Sequence, residues 1–87
     1  MTLYEFYGEE CPHCKAMEDK VENLKDAGVE VKQLEVWHDE DNAAKMEEFD
    51  DGKCGGVPFF YNTETDEWIC GETDFHTLEQ WAAGEEV

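Results

Sequence analysis

The chain has 87 residues and carries 24 Asp and Glu against six Lys and no Arg, a formal net charge of -18 at pH 7. This length predicts one domain over residues 1–87. The charge argues against nucleic-acid binding through phosphates, because that mode needs clustered cations. The acidic residues are spread along the chain and predict an acidic coat, which is typical of adaptation to high salt; steering of basic partners is the alternative.

The first predicted elements are a strand and a helix. Residues 2–7 are rich in β-branched and aromatic side chains and end at Gly8, which predicts a largely buried strand. A helix is expected to begin at Pro12 and to end at Gly28. Its apolar positions recur at spacings of three and four residues: Cys14, Met17, Val21 and Leu24.

The remaining elements complete a βαβαββα order. Residues 29–37 predict a second strand, and residues 39–51 a weaker helix. Residues 57–62 and 67–70 predict a hairpin around a turn at 63–66. A last helix, with Thr73 or Asp74 as its N-cap, is expected to end before Gly84. This order predicts an α/β fold with a four-stranded mixed sheet flanked by helices, in which the first two strands are parallel.

The N-terminal sequence MTLYEFYGEE lacks the basic start and the long apolar stretch of a signal peptide. No apolar run approaches the roughly 18 residues of a membrane-spanning helix. We therefore expect a cytoplasmic protein without membrane association. In that setting four cysteines with a CxxC spacing indicate a redox or metal role more than a secreted disulfide framework.

The CxxC motif is Cys11-Pro12-His13-Cys14. Cys11 precedes the predicted helix, whose free N–H groups and dipole favour a thiolate. Cys14 lies one turn inward and is expected to be less exposed. These positions predict that Cys11 attacks a substrate disulfide and that Cys14 resolves the mixed disulfide. Pro12 stiffens the loop, and His13 is expected to place a positive charge or hydrogen bond near the sulfur, with a solvated side chain as the alternative.

Two segments, LYEFYGEECPHCK and CGGVPFFYN, resemble the active-site segment and the cis-proline loop of thioredoxins. The predicted element order is similar to the minimal core of the thioredoxin superfamily, at the size of a glutaredoxin. The two residues between the cysteines are more similar to those of the oxidising DsbA proteins. The resemblance implies a thioredoxin-like fold for nearly the whole chain.

The resemblance also assigns roles to single residues. It makes Cys11 the nucleophile and Cys14 the resolving cysteine. It implies a cis bond before Pro58, with the backbone of Val57 pairing with an extended substrate; a trans proline opening an edge strand is the alternative. Glu5 stands where thioredoxins have a buried aspartate that assists deprotonation of the resolving cysteine, the alternative being an outward-facing side chain.

Cys54 and Cys70 are expected to be free buried cysteines, with a second disulfide, a relay or part of a metal site as alternatives. We expect no metal, because structural zinc sites favour paired CxxC motifs and this chain has one. Trp37, Trp68 and Trp81 are expected in the core.

The predicted function is thiol–disulfide exchange on protein or small-molecule disulfides. The resemblance implies no bound cofactor beyond the redox-active Cys11–Cys14 disulfide, and an external reductase or thiol as electron donor. Glu9 and Glu10 stand where glutaredoxins carry a basic residue, which argues against glutathione recognition. We expect a monomer. The alternative is a non-enzymatic thioredoxin-like domain that binds metal through its cysteines or a partner through the cis-proline face.

Overall fold

The computed structural model describes residues 2–87. Within them three helices and four strands follow one another in the predicted order, βαβαββα. The elements are β1 (Leu3–Tyr7), α1 (Pro12–Asp26), β2 (Lys32–Glu35), α2 (Glu40–Asp50), β3 (Phe59–Asn62), β4 (Trp68–Cys70) and α3 (Phe75–Ala82). Of the two N-cap candidates for α3, Asp74 caps the helix, since its carboxylate accepts a hydrogen bond of 2.7 Å from the N–H of Thr77.

The sheet is mixed and open, with the strand order β2-β1-β3-β4. The pair β1 and β2 is parallel, as predicted, whereas β1 with β3 and β3 with β4 are antiparallel. The second strand is shorter than predicted. At its start, the N–H of Val29 instead donates to the carbonyl of Leu24 and completes the end of α1. At its other end, β2 stops at Glu35, because Glu35 pairs with Tyr7 and β1 ends there.

Helices cover both faces of the sheet. Alternate residues of β1 point to opposite faces, so Leu3 packs with α1 and α3 while Tyr4 and Phe6 pack with α2. The first cluster includes Met17, Val21, Leu24, Phe60, Leu78 and Trp81. The second includes Met46, Phe59 and Tyr61, with Phe49 packed against them.

The prediction for the three tryptophans is confirmed only for Trp81, which is fully buried. Trp37 is 50% exposed and Trp68 is 37% exposed, so the prediction of core positions is wrong for both. Trp37 follows the end of the edge strand β2, and Trp68 lies on the other edge strand, β4. No helix within residues 2–87 has the length and apolar character needed to cross a membrane.

Candidate active site

The two cysteines of the CxxC motif are free thiols at the start of α1. Cys11 is the N-cap, and its carbonyl accepts the first helical hydrogen bond from the N–H of Lys15, at 3.1 Å. The N–H of Cys14 donates to the Cys11 sulfur at 3.2 Å. Pro12 occupies the first helical turn, where the missing N–H costs nothing. A hydrogen bond from a free N–H at a helix start stabilises a negative charge on the sulfur of Cys11.

Cys11 and Cys14 are equally buried, each 3% exposed. The prediction that Cys14 is less exposed than Cys11 is therefore wrong. The reason is the loop before β3, because the Cys11 thiol donates to the carbonyl of Val57 at 3.8 Å. Burial raises the pKa of the Cys14 thiol to about 12, and the neighbouring Cys11 thiol and the charge of Glu5 act in the same direction.

The peptide bond between Val57 and Pro58 is cis, and the alternative of a trans proline is wrong. Pro58 is buried, and its carbonyl accepts a hydrogen bond of 2.8 Å from the N–H of Gly71. Val57 lies directly before it, with its carbonyl toward the Cys11 sulfur. The motif at the start of α1 and the loop before β3 thus meet, although 46 positions separate Cys11 from Val57.

Glu5 lies beneath this site on β1 and is 2% exposed, so the alternative of an outward-facing side chain is wrong. Its carboxylate accepts a hydrogen bond of 2.9 Å from the Nε2 of Gln33 on β2. Burial raises the pKa of Glu5, while this hydrogen bond and the charge of Lys25 counteract the increase. Glu5, Gln33 and Cys14 line a common cavity of about 310 Å³ that also reaches the exposed Glu18. A buried carboxyl therefore shares a solvent-connected space with the thiol of Cys14.

The imidazole of His13 lies against the carboxylate of Glu72, where Nδ1 meets Oε1. Glu72 belongs to the segment that follows β4, and the side chain of His13 is 69% exposed. This arrangement agrees with the alternative of a solvated residue. On the other side of Cys11, the Nε2 of His38 contacts Glu10 at 2.7 Å, and this carboxylate raises the pKa of His38. His13 and His38 thus each contact an exposed acidic side chain.

Cys54 and Cys70 form a disulfide, with their Cα atoms 5.5 Å apart. The favoured prediction of free cysteines is wrong, and the alternative of a second disulfide is the one observed. Antiparallel pairing explains the contact, because the register sets Cys70 opposite Phe59 at the start of β3. The chain immediately before β3 includes Cys54 and is therefore close to Cys70. Cys54 is half-buried, whereas Cys70 is exposed.

Sequence reasoning missed a tryptophan and an aspartate beside the site. The Trp37 indole occupies the space where a β-carbon at Gly8 would lie. Together with Val57 and Met46, Trp37 also lines a groove of about 270 Å³ next to the loop that precedes β3. The buried carboxylate of Asp50 accepts hydrogen bonds from the N–H groups of Cys54 and Gly55 in that loop. Gly8, directly after β1, was the one sequence signal for the indole contact.

No protein-family model matches the chain, and no curated protein matches its sequence. Its chemistry is therefore inferred from the site residues. Two free thiols, the buried carboxyls of Glu5 and Asp50 and a partly exposed disulfide lie around the start of α1 and the loop before β3. Such an arrangement can form and break disulfides, with Cys14 positioned to react with the sulfur of Cys11.

Proposed function

We propose that this protein is a thiol–disulfide oxidoreductase with a thioredoxin-like fold, a small member of the thioredoxin superfamily. The observation that carries the proposal is the pair of free thiols at the start of α1, in which the N–H of Cys14 donates to the sulfur of Cys11 beside the Val57 carbonyl. The mixed four-stranded sheet and the cis bond before Pro58 support the same assignment.

The proposed reaction proceeds in two exchanges. The Cys11 thiolate attacks one sulfur of the substrate disulfide, which forms a mixed disulfide and releases the other sulfur as a thiolate. Cys14 then attacks the Cys11 sulfur, forms the Cys11–Cys14 disulfide and releases the second substrate thiol. The substrate gains two electrons and two protons, and the protein loses them.

Glu5 accepts the proton of Cys14 in the second exchange. With a pKa of about 12, Cys14 is a thiol at neutral pH and must lose its proton before it attacks. Glu5 has a raised pKa and lines the same cavity, which suits a proton acceptor that works near neutrality. The exposed side chains at the cavity rim connect it to solvent, so the proton can leave.

The substrates we propose are disulfides of proteins or small molecules, with an extended segment pairing along the backbone of Val57. An external reductase or thiol supplies the electrons, and the Cys11–Cys14 disulfide is the sole redox group needed. The acidic rim beside Cys11, including Glu9 and Glu10, disfavours the anionic glutathione. We further infer a cytoplasmic monomer that binds neither nucleic acid nor membranes.

The same composition supports adaptation to high salt. Among residues 2–87, the ion pairs within 4.0 Å involve His13 and His38, and none involves a lysine. The acidic surface is thus left without cationic partners, and dissolved cations would screen its self-repulsion.

The competing proposal is a non-enzymatic domain that binds zinc through its cysteines, or a partner through the cis-proline face. Structural zinc takes four protein ligands, usually several of them thiolates. Cys54 and Cys70 are bonded to each other, which leaves two thiols for a metal. This observation favours the redox proposal.

Turnover of a disulfide substrate with dithiothreitol as electron donor tests the proposal. We expect Cys11→Ser to abolish turnover and Cys14→Ser to accumulate the mixed disulfide, detected by mass spectrometry. Retained turnover in Cys11→Ser would mean that the roles are misassigned. Stoichiometric zinc, with no turnover after its removal, would support the metal-binding alternative instead. The reduction potential of the Cys11–Cys14 pair then decides between reductant and oxidant.

A further inference from the structure

The Cys54–Cys70 disulfide takes no part in the proposed reaction, yet Cys54 lies in the same loop as Val57, whose carbonyl contacts Cys11. Cys54 belongs to the loop that connects α2 with β3, and Cys70 is the last residue of β4. The next residue, Gly71, donates to the carbonyl of Pro58 at 2.8 Å. The disulfide therefore ties the loop before Pro58 to the end of the neighbouring strand.

This loop covers Cys11. The Cys11 thiol contacts the carbonyl of Val57 and is 3% exposed, although a substrate disulfide must reach its sulfur directly. The loop must therefore move before Cys11 can react.

The other contacts of the loop are hydrogen bonds to Asp50 and the packing of Cys54 and Val57 against the second cluster. The carboxylate of Asp50 accepts hydrogen bonds from the N–H of Cys54, at 2.6 Å, and of Gly55, at 2.8 Å. Gly55 and Gly56 lie beyond them, with open space where their β-carbons would be. Residues 51–57 belong to no helix or strand. The disulfide is thus the only covalent cross-link, within the described residues, on a loop that noncovalent contacts otherwise hold.

The disulfide is also open to attack. Cys70 is exposed and Cys54 is half-buried, and exposed disulfides are more easily reduced than protected ones. The nearby carboxylates of Asp50 and Glu72 repel anionic thiols such as glutathione. A dithiol without other charged groups attacks as a monoanion and is repelled less than glutathione, whose carboxylates add negative charge. Its second thiol completes the reduction without another collision.

We propose that Cys54–Cys70 is a second thiol–disulfide exchange site, reduced by an external uncharged dithiol, and that its reduction frees the loop that covers Cys11. A thiolate of the dithiol attacks the Cys70 sulfur, the bond between Cys70 and Cys54 breaks, and Cys54 leaves as a thiolate that takes up a proton. The second thiol of the reagent then attacks its own mixed disulfide and releases Cys70. The pair gains two electrons and two protons, and the dithiol becomes a cyclic disulfide.

The first test isolates this pair in the Cys11→Ser/Cys14→Ser variant. The variant is equilibrated with mixtures of reduced and oxidised dithiothreitol, and thiols are counted by alkylation and mass spectrometry. We expect both thiols to appear together, with the circular dichroism of the fold unchanged on either side of the transition. Thiols that appear only when the protein unfolds would overturn the proposal and make the bond structural. Glutathione at the same thiol concentration is expected to reduce the pair more slowly.

The second test measures the alkylation rate of Cys11 by iodoacetamide, a neutral reagent. It compares Cys14→Ser with Cys14→Ser/Cys54→Ser/Cys70→Ser, and adds Asn23→Ser/Ala44→Ser to Cys14→Ser as a control at two exposed positions. Without the disulfide we expect alkylation to become about threefold faster or more, because access to the sulfur limits its reaction. An equal or slower rate would overturn the coupling between the pair and the loop.

The significance of the second site for catalysis depends on the proposed function of Cys11. Thiol counting and alkylation do not require turnover, so their failure is distinguishable from a failure of the oxidoreductase proposal. If the protein shows no turnover but both tests give the expected results, the second exchange site stands and only the proposed catalytic role of Cys11 is wrong.

Discussion

Gln33 donates a hydrogen bond of 2.9 Å from Nε2 to the buried carboxylate of Glu5. The two residues are partners in the parallel register of β1 and β2. The other end of the same amide accepts a hydrogen bond from the Nζ of Lys25 on α1. An amide thus links the buried Glu5 to a surface cation, and it stabilises the ionised form of Glu5 against the cost of burial.

Glu5→Gln is expected to stabilise the protein at neutral pH and not below pH 4.5, the ordinary pKa of a glutamate. The pKa of Glu5 is raised in the folded state, so the folded protein binds this proton more tightly than the unfolded chain does. This contribution to the free energy of unfolding is fully present below pH 4.5, and it is lost as pH rises through the folded pKa. The glutamine keeps an acceptor for Gln33 and does not ionise. Urea unfolding across this range checks the prediction, and equal stability of both proteins at neutral pH would contradict it.

Gln33→Leu should raise the pKa of Glu5 further, because it removes the hydrogen bond to the charged form. Under the proposed mechanism, the pH below which resolution by Cys14 slows then moves upward. The pH profile of mixed-disulfide resolution in rapid-mixing experiments measures this shift. Gln80→Leu on α3 is the matched control and should leave the profile in place. An unchanged profile for Gln33→Leu would remove Glu5 from the role of proton acceptor.

Cys54→Ser/Cys70→Ser should lower the free energy of unfolding by about 3 kcal/mol, the usual effect of a cross-link over a loop of roughly this length. The bonded residues are 16 positions apart. Urea unfolding under oxidising conditions gives the difference. Under reducing conditions the two proteins should unfold alike, and a difference that persists there would point to packing of the cysteines and not to their bond.

Gly8→Ala should destabilise the protein by about 1–3 kcal/mol, the usual cost of overpacking. The new β-carbon would overlap the Trp37 indole, which must then leave its place beside the motif. In Trp37→Ala the same glycine substitution should cost much less, because the obstacle is gone. A double-mutant cycle measures the coupling between the two positions. Equal costs in both backgrounds would show that the indole does not need the space at Gly8.

The free energy of unfolding should increase from dilute buffer to molar salt. The chain carries a formal charge of -18, and the ion pairs of residues 2–87 leave its lysines unpaired. At 1 M the Debye length is about 3 Å, so repulsion between surface acids is largely screened. Thermal unfolding at increasing concentrations of potassium chloride checks the trend. Glu48→Lys/Glu64→Lys, at two exposed positions, is expected to reduce the increase in stability with salt. Unchanged stability would contradict adaptation to salt.

Local patterns predicted the elements well. Periodicity and turn residues fixed the order βαβαββα, and a proline after a cysteine correctly indicated where α1 begins. The contact of Val57 with Cys11 and the burial of Glu5 came from the resemblance, which carries information about distant parts of the chain that spacing does not contain.

The errors concern contacts that depend on register and on strand position. The disulfide exists because β3 and β4 pair with Cys70 opposite Phe59, and a one-residue slip would turn the side chain to the other face. Trp37 and Trp68 are exposed because they lie at the two edges of the sheet. His13 faces Glu72 because of where the chain runs after β4. None of these relationships is encoded within a few neighbouring residues.

Asp50 closes α2 at the end where the helix dipole is negative, and the last turn of this helix contains no basic residue. The Nζ of Lys53, just beyond the helix, donates to the carbonyl of Phe49 at 3.2 Å and supplies the missing cation. The carboxylate is held by the N–H groups of Cys54 and Gly55, so the turn and the loop share their stabilising contacts. The end of α2 and the cover over Cys11 therefore form one local folding unit, and a fluctuation that loosens either of them exposes both.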